Sequence, residues 1–401
     1  MMLHKRAFLY RFYPTPEQAQ NLACTFGCVR FVYNWALHKR KRAYFDLGVK
    51  LYTKDLSAAI TALKKEEGAA WLKEVSSVPL QQVLRHLDSA YTNFFEGRAD
   101  YPTFKKKHHE QSATYTDNAF TLKGDKLTLA KQQDPLRIVW SRPLPNGAKP
   151  SSVTVSKDCS GGYFVSILVE EDIQPLPAVE QQVGLDLGLK SMVVLSTGEA
   201  VDNPKYYAKD EKKLAKAQRK QAKKKKGSRN REKARKKGAR IHARIADKRR
   251  DYQHKLSTRI IRENQTVCVE SLAVKNMLEN HCLAKAISDV GWGEFTRQLE
   301  YKAKWYGRTF IKIDRFYPSS KTCSACGHIL EALTLDVREW ACPNCSVCHD
   351  RDINAAYNIL AVGLTASVCG GRVRPVDSKG LQATPGETET SLVSVGNPVC
   401  L

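Results

Sequence analysis

Two short cysteine pairs constrain this chain more than any other feature in it. Cys323-Ser-Ala-Cys326 and Cys342-Pro-Asn-Cys345 are each a C-x-x-C knuckle, and fifteen residues separate them. A knuckle turns two thiolates to one side of a tight bend, and four thiolates in a tetrahedron satisfy one Zn²⁺. Such a segment folds around a metal rather than an apolar core, so a zinc ribbon with one structural Zn²⁺ is expected. Cys345 and Cys348 form a second, overlapping C-x-x-C. We take Cys345 as the fourth ligand and Cys348 as a spare thiol. The chain has twelve cysteines in all. Its basic N-terminus reads without a signal-peptide core, and no run approaches the ~18 apolar residues of a membrane span. The cysteines therefore point to a reducing compartment, with metal rather than disulfides using the clustered ones.

Behind the second knuckle, His349-Asp350-Arg351-Asp352-Ile353-Asn354-Ala355-Ala356 leads into an apolar, Ala-rich run, so Asp352 opens a helix. Two more acids stand in strand-like runs. Asp186 lies in Val183-Gly-Leu-Asp-Leu-Gly-Leu189, ahead of a hairpin and two short strands, and Glu270 ends Thr266-Val-Cys-Val-Glu270. A charge closing an apolar strand costs several kcal/mol unless it is paired or liganded. A metal resolves that cost, and so does a salt bridge to an arginine. Acids from three elements of a rigid sheet suit Mg²⁺, which takes hard oxygen ligands. In two-metal hydrolysis such carboxylates hold two ions about 4 Å apart. Gly184 and Gly188 are expected to let backbone and substrate phosphates approach Asp186 closely. Asp350 is expected to point elsewhere, either capping the helix or supporting the metal ligands from behind, and Arg351 to clamp a phosphate.

Charge enters the argument through its distribution. The net charge is +24, and residues 205–255 hold 23 Lys or Arg against five acids, a net +18. Three quarters of the excess in one stretch describes a polyphosphate-binding surface, and its residue types predict helix with breaks at Gly227-Ser228 and Gly238. Upstream, residues 2–13 read as a strand that Pro14 ends. Thr15-Pro16-Glu17-Gln18 then opens a helical region that runs to about Arg98. Its aromatic residues, among them Phe31, Tyr33, Tyr44, Phe45, Trp71 and Phe95, are expected to pack inside. The pair His108-His109 lacks a second ligand cluster, so phosphate contact or plain exposure is expected of it rather than a metal. From Tyr115 to Ile173 short β-type runs alternate with turns, a small barrel or sandwich that recruits the N-terminal strand.

Taken together, Gly-Leu-Asp186-Leu-Gly, Val-Glu270-Ser-Leu, Phe316-Tyr-Pro-Ser-Ser-Lys-Thr-Cys323 with Cys326-Gly, Cys342-x-x-Cys345 and His-Asp-Arg-Asp352-x-Asn-Ala-Ala resemble the TnpB family. These are transposon-encoded, RNA-guided DNA endonucleases related to type V CRISPR effectors. The resemblance implies a multidomain α/β protein: a RuvC (ribonuclease H-like) nuclease with an inserted zinc ribbon, a helical recognition lobe and a β-barrel wedge domain. The expected limits are 1–13 plus 112–177 for the wedge, 14–111 for the recognition domain and 178–319 for the nuclease. The ribbon then takes 320–349, the last nuclease segment 350–369, and a disordered tail 370–401.

It also implies Asp186, Glu270 and Asp352 as catalytic Mg²⁺ ligands. The partners implied are a guide RNA derived from the transposon end and a double-stranded DNA target cut beside a short target-adjacent motif. By position, Tyr52, Thr53, Ser77 and Gln81 fall where such nucleases read that motif. A monomeric ribonucleoprotein is expected, cytoplasmic and nucleoid-associated in a bacterium or archaeon, with no membrane partner. Two other functions fit the same residues: a transposase that joins DNA ends, and a nucleic-acid-binding regulator that does not cut. Cys348 departs from the family pattern.

Overall fold

The computed structural model describes residues 3–334 and 336–368. The expected tail, 370–401, lies outside the described residues. Strand β1 (Leu3–Phe12) buries Phe8, Tyr10 and Phe12 on one face, the period of two that a half-buried strand requires. Thr15 then caps α1 (Pro16–Leu47). Its hydroxyl accepts from the Gln18 N–H while the Gln18 side chain accepts from the Thr15 N–H, which satisfies two otherwise unpaired donors. Helices α2 (Thr53–Leu63) and α3 (Ser77–Phe95) follow. α1 and α3 run in the same direction: Phe31 meets Trp71 just ahead of α3, and Arg40 pairs with Asp88 further along.

The aromatic residues of this region do not all pack inside. Tyr33 is buried, whereas Phe31, Tyr44, Phe45, Trp71 and Phe95 are exposed. α1 outruns its neighbours, and among its last ten residues only Ala43 is buried. Spacing along a helix predicts which residues share a face, but not where the covering partner ends.

Strands β2 (Gln111–Thr116), β3 (Phe120–Lys123), β4 (Lys126–Leu129), β5 (Ile138–Val139), β6 (Pro150–Lys157) and β7 (Tyr163–Asp172) come next. Five strands form an antiparallel sheet in the order β2-β6-β7-β1-β5, and β3 with β4 makes a separate hairpin. The expected barrel is therefore an open sheet: among the described residues its edges β2 and β5 are not paired with each other. β1 pairs with β7 along its whole length but with β5 at only two positions, so no long strand is left to close the ring. The helices cover the apolar face instead, and Tyr10, Phe12, Val29, Leu87, Tyr115 and Val165 share one core.

The second sheet comprises β8 (Gln182–Asp186), β9 (Ser191–Leu195), β10 (Ala200–Asp202), β11 (Thr266–Glu270) and β12 (Thr309–Ile313), in the order β10-β9-β8-β11-β12. β8, β11 and β12 are parallel; β9 runs antiparallel to β8, and β10 antiparallel to β9. The basic stretch is a hairpin of α4 (Tyr206–Ala222) and α5 (Arg229–Glu263). Arg231 closes it by donating to the Gln221 and Lys224 carbonyls at 3.1 and 2.8 Å. α5 runs unbroken through Gly238, which is buried beside Gln221 of α4, so the break expected there does not form. Short helices α6 (Val274–Met277) and α7 (Ala284–Val290) precede α8 (Trp292–Tyr306), which buries Trp292, Phe295 and Leu299. Strands β13 (Glu339–Ala341) and β14 (Cys348–Asp350) pair within the cysteine-bearing segment, and α9 (Arg351–Val368) follows directly.

The second sheet is covered on both faces. Val267 and Val269 of β11 join the core shared with α5 and α8, while Cys268 between them faces α9. α9 lies unusually close. A Cβ on Gly184 would sit 2.0 Å from the Ala356 carbonyl oxygen, and one on Gly363 would sit 2.3 Å from Cys268 Sγ. A Cβ on Gly188 would meet the Ser191 carbonyl oxygen at 2.8 Å, inside the β8–β9 turn. The glycines flanking Asp186 thus admit close backbone approach, one in helix packing and one in a tight turn. Gly184→Ala should push α9 off β8 and cost about 3 kcal/mol, measurable as a lower denaturation midpoint at unchanged slope.

Candidate metal centres

Strand geometry brings the first two acids together. β8 and β11 pair in parallel with Leu185 opposite Val269, so Asp186 and Glu270 come abreast at the C-terminal ends of adjacent strands. Period two places Asp186 on the face of Gly184 and Glu270 on the face of Cys268. Both glycine and cysteine lie under α9. Asp352 stands in the first turn of α9, one turn ahead of the Ala356 that touches Gly184. Three acids distant in sequence therefore neighbour one another on a single face.

Their electrostatics follow from that crowding. Burial pushes the Asp186 carboxyl up to about 7, and the charges of Asp352 and Glu270 push the same way, against Arg351 and Arg338. Burial also raises Glu270. Both side chains keep some solvent exposure, so packed neighbours rather than full enclosure desolvate them. Asp350 Oδ1 accepts from the Asp352 and Ile353 N–H groups at 3.0 and 2.9 Å, so it caps α9. Arg338 Nη1 donates to both Asp352 oxygens at 3.2 and 3.1 Å. Arg351 Nη1 donates to the Thr334 carbonyl at 2.7 Å. Sequence reasoning missed Arg338, because an arginine in a loop carries no local mark of the acid it will meet.

The four thiols of Cys323, Cys326, Cys342 and Cys345 lie within 4.8 Å of one another. Two of the sulfur pairs, Cys323 with Cys345 and Cys326 with Cys342, are 3.6 Å apart. A tetrahedron with Zn–S bonds of about 2.3 Å has edges of about 3.8 Å, so the set is sized for zinc. Cys348 is exposed on β14, opposite Ala341, and is not one of the four. Among the described residues no other set of His, Cys, Asp or Glu converges as tightly, and His108 and His109 join none.

The four positions assigned to target-motif reading do not form one cluster. Tyr52 and Thr53 open α2 just beyond the C-terminal end of α1, whereas Ser77 and Gln81 open α3. Because α1 and α3 run in parallel, the two pairs sit toward opposite ends of a helix about 28 Å long. Tyr52, Ser77 and Gln81 are exposed and Thr53 is half-buried. No helix of the described residues is long and apolar enough to cross a membrane.

Comparison with known proteins matches three family models. One described as "Probable transposase" covers residues 165–281, and one described as "Cas12f1-like, TNB domain" covers 292–359. A "Helix-turn-helix domain" model covers 1–45, which here is β1 and most of α1. A Streptomyces pristinaespiralis protein named "Putative RNA-guided DNA endonuclease" is 56% identical over 372 residues, 92% of each chain. "Putative RNA-guided DNA endonuclease InsQ" of Escherichia coli K12 is 32% identical over 93% of this chain and 96% of its own. Among solved structures, a Cas12f1 chain in complex with sgRNA and target DNA superposes with a TM-score of 0.53 at 13% identity, over 89% of this chain and 98% of that one.

Proposed function

This chain belongs to the TnpB family of RNA-guided DNA endonucleases, and from that premise we propose that it cuts double-stranded DNA beside a short target-adjacent motif by two-metal phosphodiester hydrolysis. The observation that carries the chemistry is the meeting of Asp186, Glu270 and Asp352 on the α9 face of the second sheet. A strand order with three antiparallel members followed by two parallel ones supports a ribonuclease H-like, RuvC-type reading.

The acids fit a divalent cation. They offer only hard oxygen donors, two of them are held up in pKa by burial, and a bound cation relieves that cost. Asp186, Glu270 and Asp352 would hold Mg²⁺, which supplies charge for activating water and stabilising the departing oxygen. The remaining work belongs to the chain. The parallel pairing of β8 and β11 fixes two carboxylates relative to each other. The Asp350 cap fixes the turn carrying the third. Arg338 and Arg351 place positive charge beside the acids, where a phosphodiester would approach.

The α4–α5 hairpin supplies the charge for a guide RNA and for the DNA backbone. Phosphates carry no sequence information, so this surface cannot select a site. Base pairing by a bound guide selects it, and the protein reads only backbone shape and a short duplex motif. Ser77 and Gln81 at one end of the helical unit, or Tyr52 and Thr53 at the other, are proposed to contact that motif.

The test uses protein purified with and without its cognate RNA on a plasmid carrying a matched target beside a randomised flank. Cleavage only with RNA, moved to a new site by a new guide, is expected. Efficient site-specific cutting without any RNA, or recovery of joined ends, would favour the transposase reading instead.

A further inference from the structure

We infer that the cysteine ribbon belongs to the framework of the nuclease site, and that Asn354 and Asn358 of α9 act as positioning residues fastening it to the helix that carries Asp352. The inference rests on the reading of Asp352 as a cation ligand.

Asn354 and Asn358 are four residues apart, so both project from one face of α9. Both are buried, at 1% and 5% exposure, and neither faces an apolar surface. Asn354 Oδ1 accepts from the Ser324 N–H at 3.0 Å, and its Nδ2 donates to the Thr322 carbonyl at 2.7 Å. Asn358 Nδ2 donates to the Ser319 and Thr322 carbonyls at 2.8 and 2.6 Å. These backbone groups lie on either side of Cys323, in a segment where Ser319, Thr322 and Cys323 are themselves buried. Buried carbonyl and N–H groups must be paired, and here two helix amides do much of the pairing.

A second attachment comes from β14, beyond the other knuckle. His349 Nε2 lies 3.0 Å from Cys323 Sγ, within reach for an N–H to donate to a thiolate, and its ring packs on Trp340, its partner across β13 and β14. Residue 349 is one before the Asp350 cap and three before Asp352. The first knuckle is thus bonded to α9 after Asp352 and to β14 before it. Any shift of the ribbon is transmitted to that one turn of helix. Groups that orient ligands in this way commonly change metal affinity about tenfold to a hundredfold when removed.

The test uses the full chain loaded with guide RNA and zinc, comparing wild type with Asn354→Ala, Asn358→Ala and the shape-preserving Asn358→Asp. Zinc per chain and target binding should stay at the wild-type level. The Mg²⁺ concentration for half-maximal cleavage should rise about tenfold or more. Hydrogen exchange at the Ser324, Asp352 and Ile353 amides should accelerate, a readout independent of activity. An unchanged Mg²⁺ requirement with unchanged exchange in all three variants would overturn the inference. So would loss of zinc in all three, which would mean the amides merely fold the ribbon. Cleavage by Asp352→Ala at the wild-type rate would instead overturn the reading of the acids, and is scored separately.

Discussion

Asp186→Asn should lower cleavage about a thousandfold or more, the rate equivalent of losing several kcal/mol of metal-borne stabilisation, and should also make the metal-free protein more stable above pH 7. The second half follows from the position of the carboxyl. Burial and two neighbouring acids hold Asp186 up at about 7 in the fold, against an ordinary 3.8. The folded state therefore binds this proton more tightly than the unfolded chain does. Below the unfolded value both states hold the proton, and nothing is lost. As pH rises toward and through about 7, ionisation costs the folded state up to about 4 kcal/mol, less in proportion to the solvent the side chain still meets.

Asn keeps the shape without the charge. Denaturant unfolding in Mg²⁺-free buffer should show the variant ahead of wild type at pH 8, with the gap closing as pH falls toward 4. Mg²⁺ should restore the wild type, and its cleavage should need more Mg²⁺ below pH 7, where protons compete for the same carboxylate. A variant no more stable than wild type at pH 8 would mean that the acids are already neutralised by Arg338 and Arg351.

Cys323→Ser should release the zinc and unfold the ribbon while the two sheets persist. Structural zinc sites carry about 10–16 kcal/mol of apparent binding energy, and the segment has little else to hold it. Its apolar core is Trp340 with Leu330, Leu333 and Val337 packed against the cysteines themselves. Metal analysis should fall from one zinc per chain to near none. Proteolysis should open sites between residues 320 and 349, and cleavage should be lost, because Arg338 and the His349–Cys323 contact go with the ribbon. Cys345→Ser should behave alike and Cys348→Ser should keep its zinc. The reverse pattern for these two would show that the overlapping knuckle, not the first, supplies the fourth ligand.

These expectations separate what local sequence determines from what it does not. The Cys323–Cys326 and Cys342–Cys345 knuckles, the Thr15–Gln18 cap and the alternation of β1 were legible in the sequence, because each rests on spacings within a few residues. The three acids were legible as candidates for the same reason: a charge in an apolar strand or beside a knuckle stands out against its neighbours. That they meet was implied by the family resemblance alone; how they meet depends on β8 and β11 pairing in parallel and on α9 crossing both strands.

Only the tertiary structure decided which residues permit that crossing. Gly184 and Gly363 have no signature of their own, and the need for a missing Cβ exists only once Ala356 and Cys268 arrive from elsewhere. Arg338 and Asn358 were silent in the same way, and Asn354 stood in a family motif that did not show its partners. A long polar side chain bonds whatever the fold brings to it, and its partners lie 14 to 39 residues away. The open first sheet and the exposed aromatics of α1 and α3 have one cause as well. Patterning states which face of an element is apolar, but strand closure and coverage depend on how long the neighbouring elements are, and that is settled only when they pack.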